Sequence, residues 1–280
     1  MSALVTGASG LIGRHLVNAL ARREDVWASS RTVTGHPSIE GVRSVAWNLR
    51  QPDPPAVLPD QVDTVFHLAQ SGGYRDFPEQ AADVFDVNVA STARLLDWSR
   101  HHGVTRFVLA SSGGVESQRG FYLASKRSAE LLAASYESIF TVIIIRFFFV
   151  YGRGQRPTML IPRLVDHVRN GRPVVLDGVD GMRLNPVHVS DAVAALERVT
   201  ALDASATLDL AGPDILTIRD LCEIIGSQVG RSPVFTAGRE APRDLIGDIR
   251  QMSARLCAPV VPFTKGVQDF CHAGADALKP

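Results

Sequence analysis

The chain has 280 residues, of which 45% are hydrophobic and 21% are charged, as in an ordinary globular protein. Lys and Arg number 29 together, as do Asp and Glu, so the zero net charge gives no reason to expect nucleic acid or an anionic membrane as a partner. The three cysteines lack metal-ligand spacing, and no apolar run reaches the ~20 residues of a membrane span. Because the first strand begins at Ala3, we expect no signal peptide. The cysteines, odd in number and without ligand spacing, predict reduced thiols in a cytoplasmic protein and no bound metal.

A glycine-rich turn follows this first strand. Gly7 permits the turn, Gly10 lets the backbone approach a pyrophosphate, and Gly13 lets the next helix pack closely on the strand. The N–H groups in the first turn of that helix, together with its dipole, form an anion site. The pattern therefore predicts a dinucleotide cofactor. Its contacts in the turn are predicted to be Gly7, Ser9, Gly10, Leu11 and Ile12.

Strands and helices alternate along the rest of the first half of the chain. Further strands are predicted at 25–30, 42–47, 62–67, 106–110 and 141–150, and long helices at 78–102 and 121–139. We expect an irregular connection from Thr32 to Glu40 and a loose tail after Phe270. His67 is interpreted as a packed histidine at a strand end. The alternation predicts an α/β fold with a parallel sheet and ligands beyond the carboxyl ends of its strands.

Several motifs resemble those of one enzyme family. They are Gly-x-x-Gly-x-x-Gly from Gly7, Asp63 to Ala69, Asn88-Val89-Ala90-Ser91-Thr92, Tyr122-x-x-x-Lys126 and Arg146 to Gly152. Together they resemble the extended short-chain dehydrogenase/reductases, or NAD(P)-dependent epimerase/dehydratase family, over essentially the whole chain. The resemblance implies a Rossmann-type doubly wound parallel sheet in residues 1–150, with return segments near 185–212. It also implies a smaller substrate-binding lobe, mainly 151–280, and a homodimer formed through the helices near 80–100 and 122–139.

The family's catalytic residues map onto three positions. Tyr122 would exchange a proton with the substrate hydroxyl or carbonyl, while Ser112 donates a hydrogen bond to the same oxygen. Lys126 and the oxidised nicotinamide would lower the phenol pKa from its ordinary ~10 towards the working range. Lys126 would also bind the nicotinamide ribose, and Asn88 would position neighbouring loops.

The end of the second strand indicates which cofactor is preferred. Enzymes that prefer NAD usually carry an acidic residue there, whereas this chain has Ser30 followed by Arg31. Arg31 can pair with a 2′-phosphate, so we predict NADP rather than NAD; the alternative is a solvated arginine. The resemblance implies the remaining cofactor contacts. They are Asn48, Leu49, Leu68, Ala69, Asn88, Tyr122 and Lys126.

The substrate is predicted from three further positions. Arg183 matches the family's arginine that binds the pyrophosphate of a nucleotide-sugar, and Arg243 is a second candidate for a phosphate contact. Phe149 replaces an asparagine that often holds the substrate phosphates, which argues against a nucleotide-sugar. Gly113 and Gly114 replace the acidic pair of the dehydratases, so dehydration is disfavoured.

The leading function is NADP-dependent reduction of a keto group, most favourably on a nucleotide-activated sugar. A nucleotide-sugar 4-epimerase is the nearest alternative. A reductase of small carbonyl compounds and a non-catalytic NADP-sensing regulator are the others. The intact Ser112, Tyr122 and Lys126 argue against the regulator.

Overall fold

A computed structural model describes residues 1–33, 39–51, 54–117 and 119–271. The expected irregular connection from Thr32 to Glu40 and the expected loose tail after Phe270 lie largely outside these ranges. The chain divides into two compact units. The first comprises Met1–Arg146 and Ala195–Leu208, and the second Phe147–Ala194 and Asp209–Pro280.

A seven-stranded sheet organises the first unit. Its strands are β1 (Ser2–Thr6), β2 (Asp25–Ser30), β3 (Val42–Ala46), β4 (Thr64–His67), β5 (Arg106–Ser112), β6 (Thr141–Phe147) and β9 (Ala206–Leu210). They lie in the order β3-β2-β1-β4-β5-β6-β9, and β1 pairs in parallel with both β2 and β4. The strand order therefore reverses beside β1, which is where open sheets of this kind bind ligands. The predicted α/β class with a parallel sheet is confirmed.

Both faces of this sheet are buried, since the neighbouring residues Leu4 and Val5 of β1 are both fully buried, which explains the apolar strands. Leu4 in β1 and Val65 in β4 are fully buried in a cluster with Phe107 of β5. The helices of the first unit are α1 (Leu11–Leu20), α2 (Ala81–Phe85), α3 (Ser91–His101) and α4 (Phe121–Ala134). Leu95 of α3 and Ala129 of α4 belong to the same cluster.

Two predicted helices differ from those observed. The helix predicted at 78–102 begins at Ala81 instead and contains a π-helical turn, Asp86–Ala90, between α2 and α3. The hydroxyl of Thr92 donates to the carbonyl of Asn88 at 2.8 Å in this region. The helix predicted to reach Ile139 ends at Ala134.

The second unit combines helices with two small sheets. Its helices are α5 (Leu160–Asn170), α6 (Val189–Arg198, which begins in this unit), α7 (Ile218–Val229), α8 (Ile249–Arg255), α9 (Phe263–Gly266) and α10 (Gln268–Cys271). The sheets pair β7 (Val174–Leu176) with β11 (Phe235–Ala237), and β8 (Arg183–Leu184) with β10 (Leu216–Thr217). Thr217 and Asp220 form a reciprocal capping box at the start of α7, which confirms the predicted cap. Among the described residues, no helix is long and apolar enough to span a membrane.

The sixth strand ends earlier than predicted. It stops at Phe147 rather than continuing to Val150. Phe149 has a φ of +47°, in the left-handed region that favours Gly and Asn, so the extended backbone cannot continue through it. The Phe149 ring is half-buried and packs against the core of the second unit.

Candidate active site

The turn after β1 leaves the start of α1 open to a ligand. Gly7 has a φ of +70°, and a Cβ there would lie 2.8 Å from the amide nitrogen of Ala69. A Cβ at Gly13 would collide with the carbonyl oxygen of Gly7, so the helix packs on the turn only with glycine there. The residue at the N-cap is Gly10, which has no side chain to satisfy the first N–H groups of α1. This part of the site fits a pyrophosphate.

The other turn residues surround this helix start. Ser9 is exposed, whereas Leu11 and Ile12 are half-buried at the beginning of α1. The backbone N–H of Ala8 donates to the carbonyl of Ser29 at 3.0 Å, which joins the turn to the end of β2. The predicted pyrophosphate and ribose contacts are therefore brought to one edge of the sheet.

No acidic side chain occupies the end of β2. Ser30 is buried, and its hydroxyl donates to the carbonyl of Thr32 at 2.6 Å. The next residue, Arg31, is exposed. Asn48, after β3, is also exposed, and its Oδ1 accepts a hydrogen bond from the backbone N–H of Arg50 at 3.2 Å. Leu49, beside it, is buried.

Asn88 joins the segment after β4 to helix α4. It is buried in the π-helical turn, where its Oδ1 accepts from the backbone N–H of Ser71 at 3.0 Å. Its Nδ2 donates to the hydroxyl of Ser125 at 2.9 Å. Leu68 and Ala69, which precede Ser71, are half-buried, and the N–H of Ala69 donates to Thr6 at 3.3 Å.

The hydroxyl of Tyr122 faces the segment after β4 and the end of β5. Its Oη donates to Oε1 of Gln70 at 3.2 Å, and Ser112, at the end of β5, lies near enough to lower its pKa. The rings of Tyr122 and Tyr74 are 4.8 Å apart between centroids. Burial raises the pKa of Tyr122 to about 12, although Ser112 and the charge of Arg75 act in the opposite direction. In the protein alone the phenol is therefore a proton donor.

Lys126 lies one helical turn after Tyr122 on α4. Its side chain is buried, and Nζ donates to the carbonyl of Ala110 at 2.9 Å. Burial lowers the pKa of Lys126 to about 8, and the charge of Glu130 opposes that change. The ammonium is therefore mostly protonated at neutral pH.

His67 is a packed residue at the end of β4, as predicted. Its Nδ1 and the Thr6 hydroxyl are 2.8 Å apart, and its Nε2 and the Thr92 hydroxyl are 3.1 Å apart. Burial lowers the pKa of His67 to about 3, so the ring is neutral.

A buried carboxylate that the motif analysis missed stabilises the end of β5, next to Ser112. Glu130, one turn beyond Lys126, is 2% exposed and accepts a hydrogen bond from Ser111 at 2.6 Å. Arg146 donates to both of its oxygens, at 2.9 and 2.8 Å, and Arg127 donates at 2.7 Å. Burial by itself would raise the pKa of Glu130, but these hydrogen bonds lower it below its ordinary value.

A sequence signal for this network existed. The apolar run from Thr141 to Tyr151 is interrupted only by Arg146, and a charged residue in a buried strand requires a partner. Glu130 is the acidic residue of α4, on the helical face that also carries Lys126, so it was a candidate partner for Arg146. The network joins β5, α4 and β6 directly beside Ser112.

Of the predicted substrate contacts, Ser112 lies in the first unit, and Phe149, Arg183 and Arg243 lie in the second. Arg183 is exposed and paired with Asp244: Nε is 2.8 Å from Oδ2, and the backbone N–H donates to Oδ1 at 2.8 Å. Arg243 is exposed beside this pair in the sequence. Phe149 packs against the apolar core of its unit. Within the described ranges, no group of three His, Cys, Asp or Glu residues is arranged to hold a metal ion.

The fold and this arrangement of residues define an enzyme of the extended short-chain dehydrogenase/reductase class. The chain belongs to the NAD dependent epimerase/dehydratase family, whose model matches residues 3–208. The predicted family is therefore confirmed.

Individual relatives include both reductases and epimerases. The chain is 28% identical to a dTDP-4-dehydro-6-deoxy-D-allose reductase of Streptomyces sp, with 95% of this chain and 94% of the relative covered. It is 26% identical to a probable UDP-glucuronate 4-epimerase of Rhizobium meliloti, over 73% and 70% of the two chains. The solved structure of MoeE5 in complex with UDP-glucuronic acid and NAD superimposes with a TM-score of 0.83 and 28% identity, covering 97% of this chain and 98% of MoeE5.

Proposed function

We propose that the protein reduces a keto group on a nucleotide-activated sugar, using NADPH. The observation that carries this proposal is the position of Ser112 beside Tyr122, whose pKa it lowers, with the buried Lys126 one helical turn away. Similarity to a dTDP-4-dehydro-6-deoxy-D-allose reductase over nearly the whole of both chains supports the substrate class. Tyr122 in its neutral form suits reduction, because the substrate oxygen must gain a proton.

The residues of the first unit fit a nicotinamide dinucleotide. The glycine turn and the uncapped start of α1 would bind its pyrophosphate, and Lys126 would bind the nicotinamide ribose. When bound, the cofactor supplies the hydride. Ser112 would orient the substrate keto oxygen, and Tyr122 would donate its hydroxyl proton to that oxygen. The positive charge of Lys126 would stabilise the resulting phenolate.

The second unit is proposed to bind the nucleotide part of the substrate. Arg183 and Arg243 would contact the phosphates. Asp244 holds Arg183 through an exposed ion pair, and such pairs are weak enough for a pyrophosphate to compete. Phe149 would not offer the substrate phosphates the amide that the asparagine of its relatives provides. Gly113 and Gly114 offer no acid–base pair, so elimination of water is not proposed.

The choice of NADPH depends on the end of β2. Ser30 turns its hydroxyl to the backbone and carries no charge, so nothing there repels a 2′-phosphate, and Arg31 would pair with it. We expect NADP to bind ~10- to 100-fold more tightly than NAD, which corresponds to a charge-assisted hydrogen bond. Arg31→Ala should remove most of this preference and leave NAD affinity unchanged. Calorimetric titration of both cofactors measures it, and equal affinities in the wild-type protein would contradict it.

A nucleotide-sugar 4-epimerase is the second candidate. It is favoured by the 26% identity to a probable UDP-glucuronate 4-epimerase over 73% of this chain. The two functions separate experimentally: a reductase consumes NADPH stoichiometrically, whereas an epimerase interconverts two sugars with no net cofactor consumption.

The experiment for either function uses a panel of nucleotide-sugars and nucleotide-4-keto-sugars. Product formation by the wild-type protein should fall ~10²-fold or more in Tyr122→Phe, with cofactor binding unchanged. Tyr136→Phe is the matched control and should keep full activity. Turnover by Tyr122→Phe at the wild-type rate would refute the assignment. The homodimer stays a prediction.

A further inference from the structure

A glutamine that belongs to none of the predicted site residues contacts the reacting atom. Gln70 lies three positions after the end of β4, and its Oε1 accepts the hydrogen bond from the Tyr122 hydroxyl at 3.2 Å. Ser112 lies near enough to the same hydroxyl to lower its pKa. The proton of Tyr122 is therefore held by Gln70 in this structure.

The position of Gln70 is fixed on both sides by its neighbours. Before it, the N–H of Ala69 donates to Thr6 at 3.3 Å. After it, the N–H of Ser71 donates to Asn88 at 3.0 Å, and the Ser71 hydroxyl donates to Asp83. Asn88 in turn contacts Ser125 on α4, one turn from Tyr122. The glutamine and the tyrosine are thus held by one hydrogen-bonded framework.

The amide of Gln70 can serve both protonation states of the phenol. Its oxygen accepts a hydrogen bond from neutral Tyr122, as observed, and a half-turn of the amide presents an N–H₂ donor instead. A neutral phenol needs an acceptor, and a phenolate needs donors. Because hydrogen bonds to an ionised partner are roughly twice as strong as neutral ones, such a side chain favours the phenolate overall.

We propose that Gln70 is a catalytic residue: it releases the Tyr122 proton towards the substrate oxygen and then donates to the phenolate that is left. This inference rests on the proposed function of Tyr122. In the reduction, the O–H bond of Tyr122 breaks and the proton passes to the substrate keto oxygen. The negative charge stays on the phenol oxygen, between Ser112 and the reoriented amide. The structure assigns no proton transfer to Gln70 itself.

Other titratable groups also face this phenol. Tyr74 packs on its ring and raises the pKa of Tyr122, whereas Arg75, on the same loop, lowers it. The guanidinium of Arg75 lies 5.1 Å from the centre of the Tyr74 ring. Lys126 lies one turn along α4. None of these groups is altered by substitutions at Gln70, so an effect on the Tyr122 pKa can be attributed to the amide.

Tyrosinate absorbance tests the proposal without a substrate. The chain has four tyrosines, and the wild-type titration minus that of Tyr122→Phe isolates Tyr122. The titrations are run with saturating NADP⁺ and, separately, with NAD⁺. Gln70→Leu, which keeps the size and loses both hydrogen bonds, should raise the pKa of Tyr122 by about one, or tenfold in the phenolate equilibrium. Gln70→Glu, which cannot donate, should raise it further.

The controls separate this inference from the proposed function. Gln251→Leu, an exposed position on α8, should leave the Tyr122 titration unchanged. If Tyr122 titrates in Gln70→Leu at the same pH as in the wild-type protein, or at a lower pH, the proposal is overturned whatever the substrate of the enzyme. If the Tyr122 pKa moves as expected but no nucleotide-sugar is turned over, the proposed function fails instead. With a substrate identified, Gln70→Leu should lower kcat about tenfold and leave KM unchanged; an effect on KM alone would also overturn the proposal.

Discussion

Replacing Lys126 with Met should stabilise the protein while abolishing its activity. Lys126 is 4% exposed, and burial lowers its pKa from 10.5 to about 8. At about 1.4 kcal/mol per pKa unit, keeping this ammonium charged in the folded state costs roughly 3 kcal/mol. Methionine has a similar length and no charge, but it leaves the carbonyl of Ala110 without this donor, which costs roughly 1 kcal/mol. The free energy of unfolding at pH 7 should therefore rise by roughly 2 kcal/mol.

The pH dependence of this difference provides the sharper test. The folded-state pKa lies below the unfolded value, so the unfolded chain binds the proton more tightly. The penalty in the wild-type protein is complete below about pH 8 and disappears as the pH rises towards 10.5. The stability advantage of Lys126→Met should shrink across that range.

Urea unfolding followed by tryptophan fluorescence measures these values. All three tryptophans, Trp27, Trp47 and Trp98, lie in the same unit as Lys126. Lys265→Met, at an exposed position in the second unit, is the matched control and should change little. A Lys126→Met protein that is less stable than wild type at pH 7, or a difference that is constant up to pH 10.5, would refute the reasoning.

Three further changes test other parts of the structure. Glu130→Gln should lower the free energy of unfolding by ~3–5 kcal/mol at pH 7, because it removes one partner of a buried ion pair. Since folding lowers the Glu130 pKa, this loss of stability should be complete above the ordinary pKa of 4.5 and should fade in acid, which urea unfolding at several pH values measures. Gly13→Ala should prevent cofactor binding in calorimetry, whereas Gly72→Ala, where a Cβ meets open space, should bind normally. Arg183→Ala should weaken inhibition by nucleoside diphosphates ~10- to 100-fold, whereas Asp244→Asn, which frees the guanidinium, should not. Equal inhibition of the wild-type protein and both variants would exclude a pyrophosphate contact.

Features that depend on local backbone preferences could be predicted from the amino-acid sequence. The apolar runs predicted the first six strands of the large sheet, although several ends differed by a few residues. The glycine spacing predicted the turn at Gly7, because only glycine tolerates its positive φ and its close approach to Ala69. The four-residue spacing of Tyr122 and Lys126 placed both on one face of a helix, since helical periodicity needs no tertiary information.

The tertiary structure decided which side chains meet across the fold. Gln70 and Tyr122 are 52 positions apart, and Arg183 and Asp244 are 61 apart, so no local pattern connects either pair. The buried Glu130 acquired its partner Arg146 only because β5, β6 and α4 pack together. These contacts depend on strand order and on the positions of loops, which the packing of the whole chain determines.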